Sequence, residues 1–236
     1  GNTALADHHD IFEIKHYDNP SWGINRGDAM ELECNYLLMC DNLLDPTHVA
    51  WVHAGSFGQA ATKSAPLRVK KTNDGVIVHR WMMDVEPAPF YKKVVGFNGN
   101  CDRLQHYEVR YPSNALIKAI FTPAGTGGSE GKLHDDVFIM DSYNFMTPVT
   151  ESKTRYYWFQ LRNIRPDDSA LSQLMTDDVQ QAFEEDRNVL NEVQKGMTNK
   201  TSPHIDLPID AGQLRFRRQL QAMINEEEQV DKQMAQ

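Results

Sequence analysis

The sequence predicts an α+β protein: one curved antiparallel sheet with a few helices packed on one of its faces. Three observations carry this. Short runs rich in aromatic and β-branched residues, or alternating apolar with polar, recur along the chain. Turn signals separate them, the strongest being the Asp74-Gly75 pair inside "TNDG". Three further segments, two of them near the end of the chain, carry helical periodicity instead, the pattern of a sheet with helices gathered on it.

The first strand is expected in "AMELECNY", where Met30, Leu32, Cys34 and Tyr36 alternate with polar residues. The first helix belongs to the stretch 40–58, "CDNLLDPTHVAWVHAGSFG". A hairpin follows, its strands "LRVKK" and "VIVHRWMM" joined through Asp74-Gly75. Further strands are expected in "RLQHYEVRY", "ALIKAIF", "DVFIMDSYNFM" and "TRYYWFQLRN". Between the second and third of these, the Gly-rich 123–135 segment reads as a mobile hairpin loop; no helix follows it to receive a phosphate. The second helix is expected over 176–194, capped by Thr176 or Asp177 and ended by Gly196. The third, 210–228, opens on Asp210 and carries Leu214, Leu220, Met223 and Ile224 as its packing stripe.

The chain of 236 residues suits one domain, and no linker or repeat divides it. A net charge of −9 argues against nucleic-acid or anionic-membrane partners. The one basic cluster, "LRFRR" at 214–218, reads as a solvated face or a subunit contact. No apolar run of membrane-spanning length and no leader pattern is found, so a cytoplasmic protein is expected. Cys34, Cys40 and Cys101 form no C-x-x-C or C-x-H pair and read as buried thiols.

The residues that point to chemistry sit on apolar faces. In the second helix the stripe Val179, Ala182, Phe183, Val189, Leu190 and Val193 is interrupted by Asp186, three residues from Phe183 and three from Val189. An ionised carboxylate pointing inward requires a cation, which an arginine or a metal could supply, unless the helix is rotated enough to put it at the boundary. Glu184 and Glu185 beside it read as solvated charges. In 40–58, His48 and His53 stand five apart, about 140° on a regular helix, so they converge only if the helix is irregular. Pro46 gives a reason for a break, and Gly55 and Gly58 permit a turn afterwards. Two imidazoles and a carboxylate are the facial set of non-heme Fe(II) oxygenases, and the same count could hold catalytic zinc. Without H-E-x-x-H, nothing places a glutamate beside a zinc-bound water.

"DNLLDPTHVAWVH" resembles the iron-binding segment of Rieske non-heme iron oxygenases, with Asp three before the first His and a second His five after it. "AFEEDRNVL" is similar to the segment that contributes the family's carboxylate ligand, and "DSYNFMTP" and "IDAGQLRFRR" resemble its vanillate O-demethylase group. The resemblance implies His48, His53 and Asp186 as ligands of a mononuclear Fe(II). It implies Asp45 as a buried carboxylate that hydrogen-bonds a ligand histidine and bridges toward the Rieske cluster of a neighbouring subunit, and Asn42 as a group near the iron. Asp41, Asn42 and Asp45 also read as helix caps, with Pro46 at a favoured first position. The implied enzyme is the terminal oxygenase of a homotrimer, using O2 and electrons from a reductase or ferredoxin on an aromatic substrate, by demethylation or hydroxylation. One departure is large: the C-x-H and C-x-x-H pairs that bind the family's [2Fe-2S] cluster are absent. Residues 1–236 are therefore expected to be a single catalytic domain, either part of a longer polypeptide or a subunit that borrows its cluster. A smaller departure is Asn191, where relatives often carry glutamate.

The pocket is expected between sheet and Asp186 helix, mostly apolar, with Phe145, Met146 and Tyr157 lining it or simply in the core. His79, His106, His134 and His204 read as surface or satisfied histidines, and His8 and His9 as part of a frayed start. One rival is a non-catalytic carrier of a hydrophobic ligand, since carriers also use the helix-grip architecture (START-like or Bet v 1-like). Such a carrier has no need of inward His, His and Asp. A zinc hydrolase is the other rival.

Overall fold

The computed structural model of the chain describes residues 7–8, 11–59, 65–96, 99–127, 133–199, 201, 203 and 205–234. In chain order come β1 (Gly23–Arg26), β2 (Met30–Leu32), α1 (Tyr36–Leu43), β3 (Arg68–Lys71), β4 (Gly75–Val85) and α2 (Pro89–Val95). Then follow β5 (Cys101–Arg110), β6 (Asn114–Pro123), β7 (Phe138–Thr150), β8 (Lys153–Arg162), α3 (Ser169–Thr198) and α4 (Ala211–Met234). The strands form one antiparallel sheet in the order β1-β8-β7-β6-β5-β4-β3, and β2 pairs with the stretch of β8 before the one β1 holds. Consecutive long strands pair with their chain neighbours, as hairpin signals dictate. The α+β helix-grip expectation holds: α3 lies against β1 and β2, α1 against β5, β6 and β7, and α4 against β3 and β4.

Strand periodicity sorts side chains to two faces. Val76, Val78, Val109, Ala115, Ala119, Met140, Tyr156 and Trp158 join the main core under the helices, with Met175, Val179 and Leu190 of α3 and Phe216 of α4. A smaller cluster, Leu116, Tyr143 and Leu161 with Phe145 and Phe159, lies on the opposite face and is covered by Phe12, Ile14 and Trp22. All three cysteines are buried and free, as expected. No helix among the described residues is long and apolar enough to cross a membrane.

Several boundaries differ from expectation for local reasons. The alternation in 29–36 stops at Leu32, because the Asn35 side chain accepts from the Leu37 N–H and starts α1 at Tyr36. Helix α3 begins eight residues before Asp177, at Ser169, capped by Asp168, which accepts from Leu171 N–H; Gly196 lies inside it. Its buried stripe is Leu171, Met175, Val179, Ala182, Asp186 and Leu190, while Val189 and Val193 face outward. In α4 the buried apolar side chains are Phe216 and Leu220, with Met223 and Ile224 exposed; Asp210 turns back to accept from Leu207 N–H. Strand β1 and helix α2, which opens on Pro89, carry signals too short to read from periodicity. Within the Gly-rich loop, residues 128–132 lie outside the described residues, as do His9 and His204.

Candidate metal centre

Helix α1 ends at Leu43, where Leu44 N–H bonds the carbonyls of Cys40 and Asp41. Pro46 follows, a single 3-10 turn spans His48–Ala50, and tight turns carry the chain on to Phe57. The two histidines therefore never share a regular helix, and the 140° that would separate them does not apply. Gly58 closes the segment by donating to the His53 carbonyl at 2.8 Å. A Cβ at Gly58 would stand 2.8 Å from the Val49 carbonyl oxygen, closer than packing allows, so glycine is what lets this loop fold on itself.

The loop meets α3 at Asp186, which is 3% exposed. Its Oδ1 lies 3.1 Å from His53 Nε2 and 3.6 Å from His48 Nε2, and the ligand atoms of the three residues all fall within 4.8 Å of one another. Two coordination bonds of about 2.1 Å set donors roughly 3 to 4 Å apart, so one ion fits between them.

The far side of each ring explains what these atoms present. His48 Nδ1 lies against the Asp45 backbone carbonyl, which can only accept. His53 Nδ1 is 2.7 Å from Glu185 Oε2, also an acceptor. A neutral imidazole has one N–H, and in both rings it is committed to Nδ1, so both Nε2 atoms turn lone pairs toward Asp186. Asp186 Oδ1 is buried and has no hydrogen-bond partner. The 3.1 Å approach of His53 is therefore a convergence of acceptors, and three lone pairs aimed at one buried point are unfavourable without a cation. Burial pushes the His53 pKa down, but the Asp186 and Glu185 carboxylates outweigh it and raise it overall: the site attracts positive charge. A proton on His53 would relieve one contact; a divalent ion relieves all of them.

Beside the triad lies a cavity of about 80 Å³. Val49 and Phe57 of the histidine loop, Val179, Ala182 and Phe183 of α3, and Ile117 and Met140 of the sheet form its apolar walls. Arg103, Tyr107, Ser142, Asn144 and Gln160 add polar groups to a surface that is mostly apolar, as expected.

Other expected site residues are placed differently. Phe145, Met146 and Tyr157 do not line the cavity. Phe145 packs in the outer cluster, Tyr157 is 45% exposed, and Met146 is in the main core. On β7 it is Met140, Ser142 and Asn144 that face inward, so the odd-numbered Phe145 faces away; on β8, inward Gln160 puts Tyr157 outside. The Asp45 carboxylate accepts from Thr47 N–H and hydroxyl, and it is the Asp45 carbonyl that meets His48. Asn42 has a buried Nδ2 without a partner. Asp41 lies inside α1, whose N-cap is Asn35, and pairs with Arg217 of α4 at 2.5 Å, tying part of the basic cluster to α1. Glu185, expected in solvent, is the acceptor for His53. His106 is satisfied by Glu108 at 3.1 Å.

Residues 32–226 match the family model described as vanillate O-demethylase oxygenase C-terminal domain. The chain is 31% identical over 240 residues to a vanillate O-demethylase oxygenase subunit of a Pseudomonas species, covering 99% of this chain and 72% of that protein. It is 31% identical to the iron-sulfur subunit of a toluene-4-sulfonate monooxygenase system from Comamonas testosteroni, covering 90% of this chain and 62% of that one. Among solved structures it resembles dicamba monooxygenase bound to 3,6-dichlorosalicylic acid, at a TM-score of 0.86 and 22% identity over 96% of this chain and 66% of that chain. The chain thus spans 62% to 72% of the length of these proteins. Match, sheet and buried triad agree: the chain belongs to the vanillate O-demethylase oxygenase C-terminal domain family, the catalytic non-heme iron domain of Rieske-type oxygenases.

Proposed function

We propose that residues 1–236 form the single catalytic domain of a cytoplasmic terminal oxygenase in which His48, His53 and Asp186 hold Fe(II). The reaction is oxidative demethylation of a methoxy- or N-methyl-aromatic compound: the methyl carbon leaves as formaldehyde, and one dioxygen, two electrons and two protons are consumed. Bound between these residues, ferrous iron supplies the reductive activation of dioxygen. The observation that carries the reading is the convergence of two imidazole lone pairs and one unpartnered carboxylate oxygen beside a cavity.

The chain's own residues do the positioning. Glu185 and the Asp45 carbonyl fix both rings in the tautomer that presents Nε2. Val179, Ala182 and Phe183 keep water from the face where a ring would lie. Asp45, whose backbone carbonyl meets His48 Nδ1, is the residue through which electrons from the cluster would reach the iron site. The sequence has no C-x-H or C-x-x-H, so the Rieske cluster comes from residues outside it, in a homotrimer served by a reductase or ferredoxin.

The test combines the iron-loaded chain with a Rieske component and a reductase, and measures oxygen uptake and formaldehyde with methoxy- and methylamino-aromatics. Both are expected with at least one compound, and both lost with iron in Asp186→Ala. Retained zinc with oxygen-independent hydrolysis, or no uptake with any such compound, overturns the reading.

A further inference from the structure

We propose that β1 is the door through which the organic substrate reaches the metal centre, entering from an open groove at the sheet edge and passing where Asn25 meets Gln160. The inference rests on the oxygenase reading for there being a substrate to admit, and on register and packing for the route. A groove of about 600 Å³ lies between β1 and the first two turns of α3, with Asn25, Arg26, Ser172 and Thr176 in its walls. Groove and cavity lie end to end between α3 and the sheet. Across the sheet, Tyr107, Ile117, Ser142 and Gln160 are neighbours in register and all line the cavity; the next residue in that row, Asn25, lines the groove. Along α3, Ser172 and Thr176 overlook the groove, and Val179, one turn on, overlooks the cavity. On the sheet side the divide is a single hydrogen bond, from Asn25 Nδ2 to Gln160 Oε1 at 3.0 Å, between side chains that are both buried.

At about 80 Å³ the cavity is roughly half of what holds a benzene ring in a protein interior, so a wall has to move before a substituted ring can enter. β1 is held loosely enough to be that wall. Its sequence, Gly-Ile-Asn-Arg, turns only Gly23 and Asn25 inward and leaves Ile24 and Arg26 exposed, so the strand buries no apolar side chain. It stands at the edge of the sheet and pairs with β8 alone, and the Thr176 hydroxyl, donating to the Arg26 carbonyl at 3.5 Å, ties it to α3. Elements with so little apolar burial are the ones that open locally while the rest of a fold stays intact. Helix α3, on the other side of the groove, is anchored by Leu171, Met175, Val179 and Leu190 in the main core and cannot yield as easily. The shut arrangement also leaves Asn25 Oδ1 buried without a partner, which reduces what is gained by closing. Lifting β1 gives that oxygen to water, releases the Gln160 amide and joins groove to cavity.

A reversible lock tests this. Arg26 and Phe159 are cross-strand partners of β1 and β8, and neither lines the cavity, so Arg26→Cys combined with Phe159→Cys can bolt the strand by a disulfide without altering the cavity wall. Association of 4-nitroanisole with the iron-loaded chain is followed by stopped-flow absorbance under nitrogen. The oxidised variant is expected to bind the probe at least about tenfold more slowly than the same protein after reduction, at equal iron content. Asn25→Ala, which removes the latch, is expected to speed association about threefold or more. Equal rates in the oxidised and reduced variant overturn the proposal, as does an Asn25→Ala variant no faster than wild type. Hydrogen exchange of the ligand-free wild type is the second measure: the β1 amides bonded to β8 are expected to exchange at least about a hundredfold faster than those of β6. Protection of β1 equal to that of β6 overturns the proposal, and this comparison decides where the double variant fails to fold or the probe binds too weakly to follow. Because no oxygen is consumed, a failed demethylation assay leaves the door standing, and a failed door leaves the iron chemistry standing.

Discussion

Glu185 and Asp186 are adjacent in sequence and act on the same histidine from opposite sides. Glu185 takes the proton-bearing Nδ1 of His53, and Asp186 faces the bare Nε2. Partners of this kind commonly tune metal affinity ten- to a hundredfold. Glu185→Gln, which can still accept at Nδ1 but lacks the charge, is expected to weaken iron binding by about tenfold in chelator competition, with the fold unchanged. On the opposite face of the sheet, burial alone would raise the Glu108 carboxyl, but bonds from His106 at 3.1 Å and Arg110 at 2.6 Å bring it down to about 2. A depressed carboxyl stabilises the fold above its unfolded pKa, near 4.5, and loses that contribution as pH falls toward 2. The contribution is at most about 3 kcal/mol. Melting temperatures from pH 5 to pH 2 are expected to fall less steeply in Glu108→Gln than in wild type. Of these residues, Asp186 was legible because a charge in a helical stripe is visible in one dimension. Glu185 was not, since its partner is 132 positions away.

At the scale of elements, cap chemistry decided boundaries that hydrophobic period alone could not. Asp168 starts α3 well before the stripe becomes obvious, and Asn35 turns a strand-like run into a helix. Asp168→Ala is expected to cost about 1 kcal/mol of stability, read from chemical denaturation, because the first turn of α3 loses its acceptor. Seven of the strands expected from alternation and turn signals are present, since hairpin neighbours pair with each other. Strand β1, with four residues, is held by tertiary pairing to β8 and leaves almost no local trace. The break between α1 and the His48–Ala50 turn was legible at Pro46, whereas the closure at Gly58 depends on a carbonyl nine residues earlier.

For the whole molecule, the sheet divides the chain into a face that holds the cavity and a face that does not. Assigning Phe145 and Tyr157 to the cavity put them on the wrong side, because alternation gives two faces without saying which is inside; only the position of the helices decides that. Phe145→Leu and Tyr157→Phe are accordingly expected to leave ring-ligand affinity within about threefold, while Met140→Ala on the cavity side changes it by tenfold or more in the same titration. Polar lining was hidden for a related reason: Arg103, Ser142 and Gln160 come from three strands, and their meeting is a property of strand order. The loop that carries both histidines also contributes Val49 and Phe57 to the cavity wall. Whatever holds that loop against α3 therefore shapes the room for the organic molecule as well. Stripping the ion would unlatch one side of the chamber, and an occupant lodged there would in turn slow the ion's escape, each guest guarding the other's place.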